Sequence, residues 1–367
     1  MSAGPPEPWA QAELIGQDAA RDVLARALGS GRLAHGWLLH GPAGVGKATL
    51  AYRFARALLA GPAACGPALA LAPDHPVFRQ VAQGAHPDLT VIEPERDAKT
   101  GRLKAEIPVA AVRAAGSALH ATAAMGGHRV IVVDGAERLN RNAANALLKS
   151  LEEPPAAAVI MLISARPSQV AATLRSRCAK LALARLTEAV VRDALARFAP
   201  ELTGEQQRAI AVLARGSLGR ALELADADWL PLYQRLAQAL DGAPGAGAAL
   251  HELAAALARH AEQRGIAGPL ALVQELLGRI VAVHCGRLGP PLFAAESAAL
   301  ERLAAGRPLD RWAALWDKVR QLGAAVDRLN LDRTQTLLHI LTLLAPAAGQ
   351  DEAAAIAMPG GVRDVLG

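Results

Sequence analysis

The stretch GPAGVGK has the residue types and spacing of a loop that binds phosphate. Gly41, Gly44 and Gly46 allow backbone N–H groups to converge on one phosphate, and Lys47 can reach its terminal oxygens. Ser or Thr usually follows the lysine, because its hydroxyl binds Mg²⁺, but this chain has Ala48 there. The pattern therefore predicts a phosphate-binding fold in which Mg²⁺ is a doubtful cofactor.

Thr49 also belongs to the predicted phosphate site, although it does not simply replace the missing hydroxyl. One residue further along a helix, its side chain is rotated by about 100° from that of Ala48. Two interpretations stay open on these residues alone. The loop either holds a nucleotide, ATP or ADP, or it keeps its shape and binds nothing.

Asp134 is the second candidate, because it ends the buried-strand pattern RVIVVD. A carboxylate in this place suits the Walker B role of orienting Mg²⁺ and its waters. In many related ATPases a Glu follows directly and polarises the attacking water, but here Gly135 follows. Glu137 lies three positions after Asp134 and would have to fold back to replace that Glu. The alternative for Asp134 is a simple cap at the end of a strand.

Other reactive side chains give weaker signals. Arg177, in LRSRC, is a surface arginine in a connecting segment when nothing else is considered. Cys65, His75 and His86 do not have the paired spacing of a four-ligand zinc site. We therefore predict no metal ligands and no zinc, with His75 and His86 as turn or packing residues.

The elements that must position these residues follow from periodicity. Apolar runs bounded by polar, Gly or Pro residues predict strands, and helical patterns separate them, as in a parallel sheet covered on both faces. The segment NRNAANALLKSLEEPP predicts a helix that is capped by Asn140 and ends before Pro154. The five predicted strand runs are residues 36–41, 89–94, 129–135, 159–164 and 180–184.

Strand signals stop after about residue 185, and helical patterns follow. Thr203 and Gln206 form a capping-box pattern, and Gly216 ends that helical stretch. The predicted organisation is α/β followed by all-α. It comprises a P-loop nucleotide-binding domain (1–185), a three-helix lid (186–228), a helical domain (229–347) and a loosely ordered tail (348–367).

Composition limits the class of protein. A chain of 367 residues exceeds what one core usually organises, so two or three domains are expected. The N-terminus lacks a secretory pattern, no apolar run reaches membrane-helix length, and the three cysteines lie far apart. We therefore expect a cytoplasmic protein without a membrane partner. The net charge of +5 is compatible with nucleic-acid binding and equally with an ordinary surface.

These motifs, in this order, resemble the clamp-loader subunits of bacterial DNA polymerase III, which are AAA+ proteins, and among them the delta-prime type. The resemblance is strong over residues 13–225 and rests on LIGQDAARDVLARAL, LAHGWLLHGPAGVGKATLAYRFARALL, RVIVVDGAERLNRNAANALLKSLEEPP, LRSRC and ARGSLGRALEL. It implies an AAA+ P-loop domain, a small helical lid and a helical collar for oligomerisation.

The resemblance also implies a mechanism. Clamp-loader subunits form a partial ring with ATP at subunit junctions, and the ring opens a sliding clamp and places it on primed DNA. The implied partners are gamma/tau and delta subunits, the clamp and primer–template DNA. Arg177 matches the Ser-Arg-Cys arginine that acts in trans on a neighbour's ATP. Ser164 matches the sensor-1 position.

Departures from the motor subunits of this family point to a weaker ATPase. Those subunits have Ser or Thr after the loop lysine, an Asp-Glu pair, an Arg after GSL and a four-cysteine zinc module. Here the corresponding residues are Ala48, Gly135, Gly219 (with Arg220 next) and the lone Cys65.

Three functions are compatible with these residues to different degrees. The first is a stator that supplies Arg177 and hydrolyses little ATP itself, so its own enzymatic activity is uncertain. The second is a gamma/tau-like motor that uses Lys47, Asp134 and Glu137. The third, a small-molecule kinase outside replication, fits poorly because the helical C-terminal part has no substrate-site signature.

Overall fold

The computed structural model describes residues 7–31, 33–95, 104, 106–226, 229–241, 247–329 and 331–345. The chain divides into two units, one with residues 1–201 and 214–222, the other with residues 202–213 and 223–367. The predicted tail, residues 348–367, lies outside the described residues.

The first unit contains a five-stranded parallel sheet in the order β2-β3-β4-β1-β5, which confirms the predicted fold class. Strand β4 is buried along its whole length, as expected for a sheet covered on both faces. The last strand is shifted by one residue at its start and two at its end from the predicted run 180–184. The strands are β1 (Gly36–His40), β2 (Leu89–Ile92), β3 (Arg129–Asp134), β4 (Ala158–Ser164) and β5 (Ala179–Ala182).

Helices cover both faces of the sheet. Alternate strand residues point to opposite cores: Leu39 packs on one face and Leu38 on the other. The first core includes side chains of α1 (Asp18–Gly29), α2 (Lys47–Ala60) and α3 (Pro76–Ala82). The second core includes side chains of α4 (Val109–His120), α5 (Arg141–Glu152) and α6 (Ala172–Arg177).

The predicted start of α5 is confirmed. The Asn140 side chain accepts a hydrogen bond from the backbone N–H of Ala143 at 2.9 Å, and the helix ends at Glu152, before Pro154. The Asn140 cap therefore fixes the residue at which α5, the helix between β3 and β4, begins.

Two buried arginines of α2 hold the N-terminal segment. Arg56 donates to the carbonyl oxygens of Trp9 and Gln11 at 2.9 and 2.7 Å, and its guanidinium lies 4.3 Å from the centre of the Phe78 ring. Burial lowers the pKa of Arg56 to about 10. Arg53 donates to the carbonyl of Ala12 at 2.7 Å. Segment 9–12 is thus tied to the helix that follows the phosphate loop.

Further along the chain, α7 (Glu188–Phe198) lies within the first unit and α8 (Gly204–Ala214) follows it. The predicted capping box of α8 is confirmed: the Thr203 N–H donates to Gln206 Oε1 at 2.9 Å, and the Gln206 N–H donates to Thr203 Oγ1 at 3.2 Å. Helix α9 (Leu218–Asp226) begins after Ser217.

The described part of the second unit is helical. Its buried polar centre is Glu296, whose carboxylate accepts hydrogen bonds from Tyr233 at 2.7 Å and from Arg279 at 3.0 Å. No helix among the described residues is long and apolar enough to cross a membrane. The helices after α9 are α10 (Trp229–Asp241), α11 (Gly247–Arg264), α12 (Ala267–His284), α13 (Glu296–Ala305), α14 (Leu309–Leu329) and α15 (Arg333–Leu344).

Candidate phosphate site and distal arginine

The phosphate loop, residues 41–47, connects β1 to α2 at the carboxyl edge of the sheet. Gly41, Gly44 and Gly46 have φ values of 147°, 70° and 98°, a region that favours glycine. A Cβ atom on Gly41 would lie 2.2 Å from the Leu183 carbonyl oxygen, so no larger residue fits there. The three glycines are therefore required by backbone geometry, as the motif predicts.

The first turn of α9 lies directly against this loop. The Gly219 N–H donates to the Gly44 carbonyl at 2.9 Å, and a Cβ on Gly44 would lie 2.3 Å from Ser217 Oγ. A Cβ on Gly219 would lie 3.0 Å from the Gly44 Cα. From the sequence, Gly219 is notable only because the related motor subunits have Arg at this position. In the structure its backbone contacts the phosphate loop directly.

Gln17 ties the same loop to the segment after β5. Its Nε2 donates to the carbonyls of Val45 at 3.1 Å and Ala184 at 2.7 Å, and its Oε1 accepts from the Ala184 N–H at 3.2 Å. No periodicity or motif in the sequence predicts these contacts of Gln17, because their partners lie 28 and 167 residues away. The loop is thus held from two sides by contacts distant in sequence.

Lys47 points into the loop and is 7% exposed. Its Nζ donates to the carbonyl oxygens of Gly41 at 2.9 Å and Pro42 at 2.5 Å. Burial lowers the pKa of Lys47, and the carboxylates of Asp134 and Glu137 partly offset that shift. The ammonium group is therefore available to a phosphate in exchange for the two carbonyls.

The two residues after Lys47 lie in the first turn of α2. Ala48 is half-buried and packs against the core under the first face of the sheet. Thr49 is half-buried on α2. The methyl group of Ala48 therefore packs against the core. It cannot supply the hydroxyl that a Ser or Thr at this position would offer to Mg²⁺.

Asp134 ends β3 beside Ile163 of β4, and burial raises the pKa of its carboxyl while Lys47 lowers it. Gly135 follows with φ 81°, and its N–H donates to the Ile163 carbonyl at 3.1 Å. This positive φ turns the chain into the short 3₁₀ helix Ala136–Arg138. Gly135 therefore has a conformational role in addition to lacking a carboxylate.

Glu137 does fold back. Its side chain is 7% exposed, and Oε1 accepts a hydrogen bond from the Ala165 N–H at 3.3 Å. Oε2 is buried and has no hydrogen-bond partner among the described residues. Ser164, at the end of β4, is 1% exposed, and its Oγ accepts a hydrogen bond from the Arg166 N–H at 3.1 Å. Lys47, Asp134, Glu137 and Ser164 thus gather at the carboxyl edge.

Arg177 lies at the amino-terminal ends of the strands, opposite the carboxyl edge where the phosphate loop lies. It ends α6 just before β5 begins, and a Cβ on Gly36, the first residue of β1, would lie 3.4 Å from the Arg177 carbonyl. The phosphate loop follows the other end of β1, a strand of five residues that spans roughly 16 Å. The structure therefore does not bring Arg177 to this chain's own phosphate loop.

The surroundings of Arg177 fix its backbone. The Ser176 hydroxyl donates to the Thr173 carbonyl at 3.0 Å, and Cys178 is buried, with Sγ 3.1 Å from a Cβ built on Gly36. Burial raises the pKa of Cys178 to about 11, so its thiol stays protonated at neutral pH. The cysteine is a packing residue that holds the arginine's segment against β1.

The histidines occupy turns, as predicted. His75 Nδ1 accepts from the Val77 N–H at 3.2 Å and caps α3, and His86 Nδ1 accepts from the Asp88 N–H at 3.2 Å. Within the residues that the structure describes, no group of three His, Cys, Asp or Glu side chains could hold a metal ion.

Comparison with known proteins shows what the first part of this chain is similar to. Residues 16–187 match the family described as DNA polymerase III, delta subunit. DNA polymerase III subunit delta' of Pseudomonas aeruginosa is 37% identical over 214 residues, which is 57% of this chain and 58% of the relative. Subunit delta' of Escherichia coli is 35% identical over 226 residues, 60% of this chain and 63% of the relative.

Gamma/tau proteins are related at lower identity. Escherichia coli subunit tau is 30% identical over 319 residues, 80% of this chain and 46% of the relative. The match spans about three fifths of the length of the delta' relatives. Among solved structures, a gamma subunit-related protein of Thermotoga maritima is 18% identical, with a TM-score of 0.42 over 89% of this chain and 98% of that chain.

Proposed function

We propose that this chain is the delta-prime, or stator, subunit of a bacterial clamp loader. It assembles with gamma/tau and delta subunits, helps to load the sliding clamp on primer–template DNA and donates Arg177 to ATP bound on a neighbouring subunit. In this proposal residues 1–185 are the AAA+ domain, residues 186–228 the lid and residues 229–347 the collar. The delta' relatives support the assignment.

The observation that carries this proposal is the place of Arg177. The arginine is partly exposed and lies one strand length away from this chain's own phosphate loop. An arginine that stabilises transition-state charge must reach the transferring phosphate. Arg177 is therefore suited to an ATP that belongs to another subunit.

The chain's own site is proposed to bind ATP or ADP weakly and to hydrolyse little. Lys47 and the loop glycines provide a phosphate cradle. Ala48 supplies no metal hydroxyl, and Gly219 places backbone against the loop where motor subunits have an arginine side chain. These replacements remove metal binding and charge stabilisation rather than the cradle itself.

The experiment is a clamp loader reassembled from purified subunits with Arg177→Ala. We expect the loader still to assemble, as measured by size-exclusion chromatography. Its clamp- and DNA-stimulated ATPase rate should fall by at least the fraction contributed by the ATP site that Arg177 faces. That site slows by roughly 10³–10⁵-fold. Arg192→Ala is the control, because Arg192 is also an exposed arginine of the first unit. Unchanged ATPase in the Arg177→Ala loader would remove the trans role.

One observation favours a second function, that of a gamma/tau-like ATP-hydrolysing motor. The buried Glu137 carboxylate shares the edge of the sheet with Asp134 and Lys47, and its Oε2 lacks a described partner. In a motor it would activate the attacking water. Steady-state ATPase of the isolated chain tests this function. Turnover that Glu137→Gln abolishes supports the motor, whereas the stator proposal predicts no turnover sensitive to Glu137.

A further inference from the structure

Arg177 is held by two partners within its own chain. Its Nη2 lies 2.5 Å from Glu152 Oε1, and its Nη1 donates to the Thr173 carbonyl at 3.1 Å. Both charged side chains are partly exposed, 39% for Arg177 and 47% for Glu152. The ion pair therefore forms at the surface, where another molecule can compete for the guanidinium.

The pair is positioned by the core. Glu152 is the last residue of α5 and follows the buried Leu151. Arg177 is the last residue of α6, between the buried Leu174 and Cys178. All three buried residues belong to one hydrophobic core, so the two helix ends are held together independently of the ion pair. The carboxylate thus stands at a fixed place beside the arginine.

We infer that Glu152 is a positioning residue that restrains Arg177 and competes with the phosphates of the neighbour's ATP. This inference rests on the proposed function. A guanidinium offers five N–H donors in a planar fork, and bidentate binding of a phosphate uses two of them on one edge. The donors that face Glu152 become available to ATP only when the carboxylate releases them. The restraint therefore lowers the affinity of the junction for ATP.

The size of the restraint follows from the exposure of the pair. An exposed ion pair shifts an equilibrium by up to about fivefold. Removing the carboxylate charge frees Arg177 equally for bound ATP and for the transition state. Equal stabilisation of both lowers KM and leaves kcat unchanged. A residue that instead oriented the arginine for chemistry would lower kcat when removed.

The test uses the reassembled loader with Glu152→Gln, which keeps the shape of the side chain. We expect KM for ATP to fall by about two- to fivefold, with kcat unchanged in the presence of clamp and primed DNA. Glu153→Gln is the matched control, because Glu153 is the exposed neighbouring glutamate at the cap of the same helix. It should leave KM unchanged.

The double variant Glu152→Gln/Arg177→Ala separates this role from a structural one. If Glu152 acts only through Arg177, the double variant has the same kinetics as Arg177→Ala. An unchanged KM in Glu152→Gln, a lower kcat, or an effect that persists without Arg177 overturns the inference while the proposed function stands. No effect of Arg177→Ala itself overturns the proposed function and the inference with it.

Discussion

The contact between the phosphate loop and α9 predicts a large cost for one added methyl group, in Gly44→Ala. Gly44 has φ 70°, and an alanine there costs roughly 1–2 kcal/mol in backbone strain. The new Cβ would also lie 2.3 Å from Ser217 Oγ and 3.2 Å from Gly219 Cα. Overpacking of this kind typically costs about 1–3 kcal/mol. We therefore expect the free energy of unfolding of the first unit to fall by about 2–5 kcal/mol.

The control separates strain from crowding. Gly84 has φ 65°, but a Cβ on it would meet nothing within 4 Å. Gly84→Ala should therefore lose only the strain, about 1–2 kcal/mol. Urea unfolding of both variants, followed by circular dichroism, measures the difference. A loss in Gly44→Ala no larger than that in Gly84→Ala would refute the close contact with α9.

A second variant identifies the crowded atom. Ser217 Oγ also accepts from the Arg220 N–H at 3.1 Å, so Ser217→Ala alone should cost about 1 kcal/mol as a lost helix cap. In the double variant with Gly44→Ala, the hydroxyl that obstructs the new methyl group is gone. We expect the combined loss to be smaller than the sum of the two single losses. If the two losses of unfolding free energy simply add, the Ser217 hydroxyl is not the atom that the new methyl group meets.

Three further predictions concern the Glu296 ion pair, the Cys178 thiol and the role of Mg²⁺ at the phosphate loop. Glu296→Gln removes the buried carboxylate that lies 2.8 Å from the Arg279 guanidinium, so the free energy of unfolding of the second unit in urea should fall by about 3–5 kcal/mol. Burial raises the pKa of Cys178 from 9 to about 11, so the folded state favours the protonated thiol. The stability gained in this way is complete below pH 9 and is lost as the pH rises from 9 towards 11. In native protein at pH 8, iodoacetamide should therefore modify the exposed Cys285 well before Cys178, as mass spectrometry can measure. Because Ala48 supplies no hydroxyl, ATP binding to the isolated chain by calorimetry should change little when Mg²⁺ is removed, whereas a strong requirement for Mg²⁺ would mean that other ligands hold the metal.

Local patterns were sufficient to predict the sheet, the phosphate loop and the helix caps. The strand runs are apolar and bounded by polar, Gly or Pro residues, and the caps at Asn140 and Thr203 depend on residues three positions away. Such features are set by short-range geometry, which the order of residue types determines. The predicted five-strand sheet is therefore confirmed.

Contacts between distant residues could not be predicted in the same way. The approach of Gly219 to Gly44 joins residues far apart in sequence, and no periodicity marks it. The position of Glu137 depends on the turn at Gly135, whose glycine was noticed only for its missing carboxylate. The pairing of Glu152 with Arg177 depends on how α5 packs against α6. Tertiary packing decides each of these contacts.

We propose that the chain acts on ATP through Arg177 and not through its own loop. The most direct measurement compares two loaders under the same conditions, one reassembled with Arg177→Ala and the other with Lys47→Ala. We expect clamp- and DNA-stimulated ATPase to fall in the Arg177→Ala loader and to be kept in the Lys47→Ala loader. Loss of activity with Lys47→Ala, and full activity with Arg177→Ala, would contradict it.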